Sequence, residues 1–285
     1  MRRWLLISVF LVTTAGLLWR AVELHVMSND FLRHHGDARA LRVISIPAHR
    51  GIISDRNGEP LAISTPVDSV WVTPMELLEA PERMLDLATH LEEDPAALRT
   101  LLEERSGREF VYLKRHITPD EAAAIRRLAI PGVHLQREYK RYYPAGEITS
   151  HLIGFTNVDD VGQEAVELAF DHWLRGRPGS KRVLKDRLGR IVQDVESISP
   201  PDPGKELRLS IDRRVQYLAY RELKLAVAQH RARSGSLVLM DPWTGEVLAM
   251  AAQPSYNPNN RSGLRSDRYR NRAVTDVFEP GSTLK

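Results

Sequence analysis

Sixteen residues without a charge, Trp4 to Trp19, stand near the start of the chain behind Arg2 and Arg3. As a helix this run is about 24 Å long, and about 28 Å if it continues through Arg20 to Val22, against a hydrocarbon core of about 30 Å. That suffices for a membrane span if Arg20 snorkels. Glu23, His25 and Asp30 follow, so the charge bias keeps the N-terminus in the cytoplasm and exports the rest. A cleaved signal peptide is the alternative, since Thr13-Thr14-Ala15 offers small residues at a cleavage spacing. That cut would leave Leu17, Leu18 and Trp19 on the mature end, which favours an uncleaved anchor.

Ala21 to Leu41 is mostly polar and helical in character. The pattern then turns to strands, with β-branched residues from Ile44 to Asp55 and a reversal at Asp55-Arg56-Asn57-Gly58, where Asn-Gly suits a hairpin. Two helix starts follow: Asp94 ahead of Pro95, and Thr118-Pro119-Asp120-Glu121, a capping box with proline at the first helical position. Strand-like Phe110 to Lys114 lies between them. A helix is predicted from about Gln163 to Leu174, with Val166, Phe170 and Leu174 on one face and Ala165, Ala169 and Trp173 beside them. It ends at Gly176.

Ser199-Pro200-Pro201-Asp202-Pro203-Gly204 is too proline-rich for helix or central strand and reads as a domain junction. Beyond it come strand Glu206 to Ile211 and a long helix opening at Asp212, with Val215, Leu218, Ala219, Leu223 and Ala226 at helical spacing. A hairpin follows, Ser236 to Met240 and Glu246 to Ala251, joined through Asp241 to Gly245. Strand, helix and hairpin followed by a loop form the opening of an α/β domain whose sheet supports a nucleophile. Internal repeats and low-complexity tracts are not apparent.

Composition narrows the picture. A chain of 285 residues with 42% hydrophobic and 27% charged residues carries enough apolar material for two ordinary domains. Its 33 Arg and 7 Lys are dispersed, the net charge is only +3, and no basic block forms a nucleic-acid arm. The absence of cysteine excludes disulfides, thiol catalysis and Cys-ligated zinc.

Candidate chemistry concentrates at the end of the chain, Glu279-Pro280-Gly281-Ser282-Thr283-Leu284-Lys285. A serine and a lysine three residues apart at a helix start put an alcohol and an amine on one face, which arms a serine without histidine. Free N–H groups at that helix start could steady an oxyanion. A capping serine is the alternative reading. If the catalytic reading holds, the chain stops on its first catalytic motif and is a fragment. Elsewhere the structural readings prevail. Asp55 has a salt-bridge option with a nearby arginine. Arg137, Tyr139, Lys140, Arg141, Tyr142 and Tyr143 read as one strand with two faces ending at Pro144. His34-His35, His49 and His151 show no ligand spacing and are read as non-metal. Asp159-Asp160 and Glu92-Glu93-Asp94 are read as turns and helix starts. Nucleotide-binding glycine motifs, G-x-S-x-G and H-E-x-x-H are absent.

Taken together, these residues resemble the class B penicillin-binding proteins, over nearly the whole chain. The resemblance rests on the arginine-flanked anchor, Arg50-Gly51-Ile52-Ile53-Ser54-Asp55-Arg56-Asn57-Gly58, Arg141-Tyr142-Tyr143-Pro144, His151 to Phe155 and Lys185 to Arg190. In the second region it rests on Leu209 to Asp212, Asp241 to Met250, Pro254 to Asn259, Asn271-Arg272 and Glu279 to Lys285. The Glu-Pro-Gly-Ser-Thr form is similar to the division-specific branch, penicillin-binding protein 3. Ala165 stands where a glycine would be expected, a departure that should matter little on a helix. The resemblance implies a single-pass membrane anchor at 1–22, an α+β pedestal of the dimerisation type at 23–203, and the start of an α/β serine transpeptidase domain, penicillin-binding and β-lactamase-like, at 204–285. It implies a septal peptidoglycan D,D-transpeptidase with Ser282 as nucleophile and Lys285 as its base, and no cofactor or metal. Partners would be stem peptides, lipid-linked glycan strands, β-lactams, a septal glycosyltransferase with other division proteins, and the membrane, but no nucleic acid. The S-x-N and K-T-G motifs that the resemblance places after Ser282 are not within these 285 residues, so the fragment should not catalyse. An anchored, non-enzymatic pedestal that recruits division partners, or the elongation-type transpeptidase, is the alternative.

Overall fold

The computed structural model describes residues 2–22, 41–185, 191–263, 265–277 and 279. Most of the expected helical stretch 21–41, most of the Lys185 to Arg190 motif, and both Ser282 and Lys285 lie outside them.

In chain order the elements are α1 (Arg2–Val22), β1 (Leu41–Ile46), β2 (Ile53–Ser54), β3 (Pro60–Val72), α2 (Pro74–Leu78), α3 (Pro81–Leu91), α4 (Pro95–Glu104), β4 (Val111–Ile117), α5 (Pro119–Leu128) and β5 (Val133–Tyr142). The short helices α6 (Ser150–Ile153), α7 (Ala165–Ala169) and α8 (Asp171–Leu174) precede β6 (Gly179–Lys185), β7 (Ile191–Ser199) and β8 (Leu207–Arg208). Then come α9 (Arg213–Gln229), β9 (Gly235–Met240), β10 (Val247–Gln253), α10 (Ser266–Tyr269) and α11 (Arg272–Thr275). Contacts divide the chain into two units, Met1–Ile46 with Gly179–Pro200, and Pro47–Pro178 with Pro201–Lys285.

The first unit holds α1 and an antiparallel sheet in the order β1-β6-β7. Arg182 lies opposite Glu196 and pairs with it at 3.1 Å, a cross-strand contact of opposite charges. The strand pattern expected from Ile44 to Asp55 therefore splits, β1 joining this sheet and β2 the other unit. No helix among the described residues is long and apolar enough to cross a membrane.

The second unit is organised by the long strand β3. Antiparallel β5 runs beside it from Ile63 to Val72, while β2 and β4 pair with its two ends and β8 continues parallel to β2. Helices α2 to α5 close one apolar core over this sheet, with Val70, Val72, Leu77, Leu87, Leu91, Leu102 and Ile117 buried together. Both helix starts form as the sequence predicts. Asp94 accepts from Ala96 N and Ala97 N, and Thr118 and Glu121 make the reciprocal capping box. Glu92, next to them, is instead the left-handed C-cap of α3. A second core gathers Ile53, Leu61, Ala62, Tyr143, Ile153 and Leu174.

The predicted helix over 163–174 is broken. Phe170 leaves helical geometry between α7 and α8, and Phe170 and Trp173 are 41% and 42% exposed. Glu167, a charged residue, is the one fully buried in α7. Ala165 opens α7 with φ +49°, in the left-handed region where glycine is favoured. The alanine there is thus a cost of about 1 kcal/mol rather than a neutral change on a helix.

Candidate functional site

Three arrangements in the second unit carry the sequence motifs, and each is built from partners far apart in the chain. The first is ionic. Arg50, 1% exposed, donates from Nε to Glu167 Oε2 at 2.8 Å, from Nη1 to Asp171 Oδ1 at 2.8 Å, and from Nη2 to the Glu167 carbonyl at 3.0 Å. Arg141 donates from Nε to the other Glu167 oxygen at 2.7 Å and from Nη1 to Ser64 Oγ at 3.1 Å. Two guanidinium groups and two carboxylates balance in charge. Burial pushes Arg50 down, but Glu167 and Asp171 more than offset it and hold its pKa above the ordinary value. Burial alone raises Asp171, yet the Gly162 N–H and Arg50 hold its carboxyl below the usual range. Removing one partner from such a buried set costs about 3–5 kcal/mol, because the other charge is left unpaired.

The second arrangement is the Asp55 turn. Asp55, 1% exposed, accepts from Asn57 N at 2.7 Å and Glu59 N at 2.8 Å through Oδ1, and from Arg213 N at 3.0 Å through Oδ2. The expected salt bridge is not what forms among the described residues: the arginine it meets is engaged by its backbone N–H. Burial raises this carboxyl, but the N–H groups of Arg213, Glu59 and Asn57 prevail and hold it low. Gly58 carries the positive φ of the turn, +86°, which closes the β2–β3 reversal. Asp55 therefore fixes the hairpin and the start of α9 with one side chain. Asp212 caps that helix by accepting from Arg214 N, and the Arg214 side chain helps hold its carboxyl far below the usual range.

The third arrangement leads toward the candidate catalytic motif. Gln216 of α9, fully buried, donates to the carbonyls of Ile148 and Met250 at 2.7 and 2.9 Å and accepts from Met250 N at 2.8 Å, locking the helix to β10. Ala249, Ala251 and Ala252 on β10 are small enough to let it pack closely. Tyr256 donates to the Ser150 carbonyl at 2.9 Å, and Asn259 brackets Tyr143 by accepting from its N–H and donating to its carbonyl, both at 2.9 Å. His151 Nε2 lies 2.8 Å from the Arg268 carbonyl, and Asn271 donates to the His151 carbonyl at 3.1 Å. The segment approaching Glu279 is thus tied at four points to the strand-and-loop region 143–151.

Ser282 and Lys285 fall outside the described residues, so their mutual geometry is not among these observations. One S-x-N string, Ser255-Tyr256-Asn257, does occur, upstream of Ser282. Tyr256 is buried there, and Ser255 Oγ lies 3.2 Å from Tyr220 Oη, which donates to Glu147 at 2.6 Å. That string is occupied by packing and hydrogen bonding. His49 Nε2 sits 3.1 Å from the Ser64 carbonyl, and His34 and His35 lie outside the described residues. Sequence reasoning missed Glu167 and Gln216. A lone glutamate and a lone glutamine in amphipathic segments carry no local mark of burial, because their partners come from distant strands.

Residues 45–209 match the penicillin-binding protein dimerisation domain, more than half of the chain, and residues 235–285 match the penicillin-binding protein transpeptidase domain. The chain belongs to the penicillin-binding proteins. Within that family it is 49% identical over 286 residues to the peptidoglycan D,D-transpeptidase FtsI of Escherichia coli strain K12, covering 99% of this chain and 48% of that protein. It is 43% identical over 281 residues to the probable peptidoglycan D,D-transpeptidase PbpC of Pseudomonas aeruginosa, covering 99% of this chain and 50% of that one. It is therefore of class B. The chain spans about half the length of the curated relatives it matches. A solved peptidoglycan synthetase from Bifidobacterium adolescentis shares the fold, with TM-score 0.56 at 24% identity over 85% of this chain and 48% of that one.

Proposed function

We propose that the protein is a division-specific peptidoglycan D,D-transpeptidase, with Ser282 as nucleophile and Lys285 as its proton acceptor. The observation that carries this reading is 49% identity across 99% of the chain to a protein named for that activity. In the proposed reaction the Ser282 hydroxyl attacks the D-Ala-D-Ala carbonyl and its proton passes to Lys285. The terminal D-Ala leaves with a proton on its amine, and the acyl-serine then transfers to an amine of a neighbouring stem peptide. Lys285 must be neutral to accept that proton. At an ordinary pKa near 10.4, holding it neutral at pH 7 costs about 4.6 kcal/mol, which burial and neighbouring charge must supply.

The domain plan belongs to the same proposal: an anchor at 1–22, a pedestal at 23–203 and the transpeptidase domain from 204. Phe10, Leu17 and Trp19 on α1 are 71%, 72% and 70% exposed, apolar side chains on opposite sides of the helix that water disfavours and lipid accepts. With Arg2 and Arg3 ahead of it, α1 would hold the N-terminus in the cytoplasm and place the rest outside the cytoplasmic membrane. Partners would be stem peptides on lipid-linked glycan strands and the septal glycosyltransferase with other division proteins.

Labelling with a fluorescent penicillin tests the chemistry, since the strained amide of a β-lactam mimics the D-Ala-D-Ala carbonyl. The full-length protein should label, and its Ser282→Ala variant should not. Labelling of that variant at the wild-type level would end the assignment. A reporter fused after Asp37 that works only inside the cytoplasm should stay silent, and its activity would overturn the topology.

A further inference from the structure

A cavity of about 140 Å³ opens between His116 of β4, Lys140 and Arg141 of β5, and the loops around Asn157 and Asn259. His116, Lys140, Arg141, Asn157 and Arg261 line it, and no aspartate or glutamate does. Lys140 and Arg261 stand exposed at its rim, while Arg141 is buried and His116 half-buried behind them. Lys140 and Arg261 have no carboxylate partner among the described residues, Arg261 lying instead over the Phe155 ring at 4.5 Å. Arg141, whose side chain is 1% exposed, has its charge met by Glu167 but keeps Nη2 buried without an acceptor. His116 Nε2 is likewise buried without a partner, on a residue held at φ +59°. Glu138 reaches His116 at 3.8 Å, but its oxygens are engaged by Ser69, Tyr112 and Arg115. A buried donor without an acceptor is unfavourable, and backbone strain of this kind adds to that. Such costs gathered at one cavity point to an external acceptor.

We propose that this cavity binds a compact phosphate-type oxyanion, held by Lys140 and Arg261 from its rim, with Arg141 and His116 of its lining turning their unpaired Nη2 and Nε2 toward it on binding. Two unpaired cations match a doubly charged phosphate better than a single carboxylate. Because Arg141 is already neutralised by Glu167, it adds a donor without adding net charge. Burial keeps His116 neutral, so with its proton on Nε2 it donates in the same way. The groups facing that imidazole are Glu138, Arg115, Lys140 and Asp159. The oxyanion has two available sources, a soluble phosphate or diphosphate and the phosphate of a lipid headgroup. The proposal does not rest on the acylation chemistry.

The test is calorimetric titration of the full-length protein with inorganic phosphate, pyrophosphate and acetate at constant ionic strength. One phosphate or pyrophosphate should bind per chain, with acetate at least about tenfold weaker. Lys140→Gln and Arg261→Gln should each weaken phosphate binding about tenfold, since each removes a charge-assisted contact, while melting without phosphate stays as in the parent. The His116 ring resonances should shift on saturation with phosphate and stay still with acetate. Short-chain phosphatidylglycerol below its micelle concentration separates the sources: competition within tenfold of pyrophosphate assigns the headgroup, and weaker competition assigns the soluble anion. A flat phosphate titration, or unchanged affinity in the double variant, overturns the proposal.

Discussion

Two cores in one unit hold this protein by opposite means. The core under α2 to α5 is apolar throughout, with Leu77, Leu87 and Leu102 fully buried and its helix ends capped locally. The core beside it wraps Ile53, Leu61 and Leu174 around Arg50, Arg141, Glu167 and Asp171. Burying aliphatic side chains is favourable whatever they touch, so the first tolerates rearrangement. Burying four charges is favourable only in one geometry, so the second fixes how β2, β5 and the α7–α8 turn meet. Of the motifs behind the family resemblance, Arg50, Arg141 and Tyr143 lie on that second core and Asp55 to Gly58 form the turn, where position is specified rather than mere burial.

The largest expected effect separates the two cores directly. Glu167→Ala should destabilise the full-length protein by about 3–5 kcal/mol by leaving Arg141 without a carboxylate and Arg50 with Asp171 alone, against about 3 kcal/mol for Leu87→Ala, which leaves a cavity. Denaturant unfolding of both variants checks this, and a loss below about 1 kcal/mol for Glu167→Ala would mean that the ionic core is ornamental.

Asp160 sharpens the comparison through pH. Its backbone carbonyl serves Arg50, while burial pushes its own carboxyl up to about 6 from 3.8. The folded protein thus keeps this proton until about pH 6, whereas the unfolded chain releases it near pH 4. Stability from this group is present in acid and is lost as pH rises through that window. Asp160→Asn should accordingly match the parent below pH 4 and exceed it by about 1–3 kcal/mol above pH 6. Asp55, Asp171 and Glu138, held low, act in the opposite sense and lose their contribution on acidification. Melting curves across pH 3 to 8 read the difference.

Smaller effects follow at two backbone positions. Gly58→Val should cost about 1–2 kcal/mol, since a β-branched residue resists φ +86° even though nothing lies within 4 Å of the added Cβ. Ala165→Gly should stabilise by about 0.5 kcal/mol, the relief of left-handed strain less the flexibility gained by the unfolded chain. Unchanged melting in the first would dissolve the turn, and destabilisation in the second would show that the Ala165 methyl packs usefully.

Local signals were legible and long-range ones were not. Thr118-Pro119-Asp120-Glu121 announces α5 because a capping box is complete within four residues. Asn57-Gly58 announces a reversal, and Asp212 the start of α9, for the same reason. Glu167 is different: its partners stand 117 and 26 residues away, and helical periodicity instead promotes Phe170, which the break between α7 and α8 leaves outside. Likewise α9 buries Gln216, Ala219 and Tyr220, while Leu218 on the same helix is 49% exposed. Of the candidate site, the approach to Glu279 takes shape from Tyr256, Asn259 and Asn271, which the family resemblance singles out but whose partners no local pattern reveals.

In the proposed reading, Glu167 and its partners hold the ionic core in place while Ser282 and Lys285 perform the chemistry. Second-order acylation of the full-length protein by a β-lactam, measured beside melting in the same samples, tests that division. Lys285→Ala should slow acylation at least about a hundredfold with melting unchanged, because the serine loses its proposed proton acceptor. Glu167→Gln should lower the melting temperature yet leave the acylation rate of the folded fraction within about twofold of the parent. Acylation that survives in Lys285→Ala, or that collapses in folded Glu167→Gln, would contradict the account.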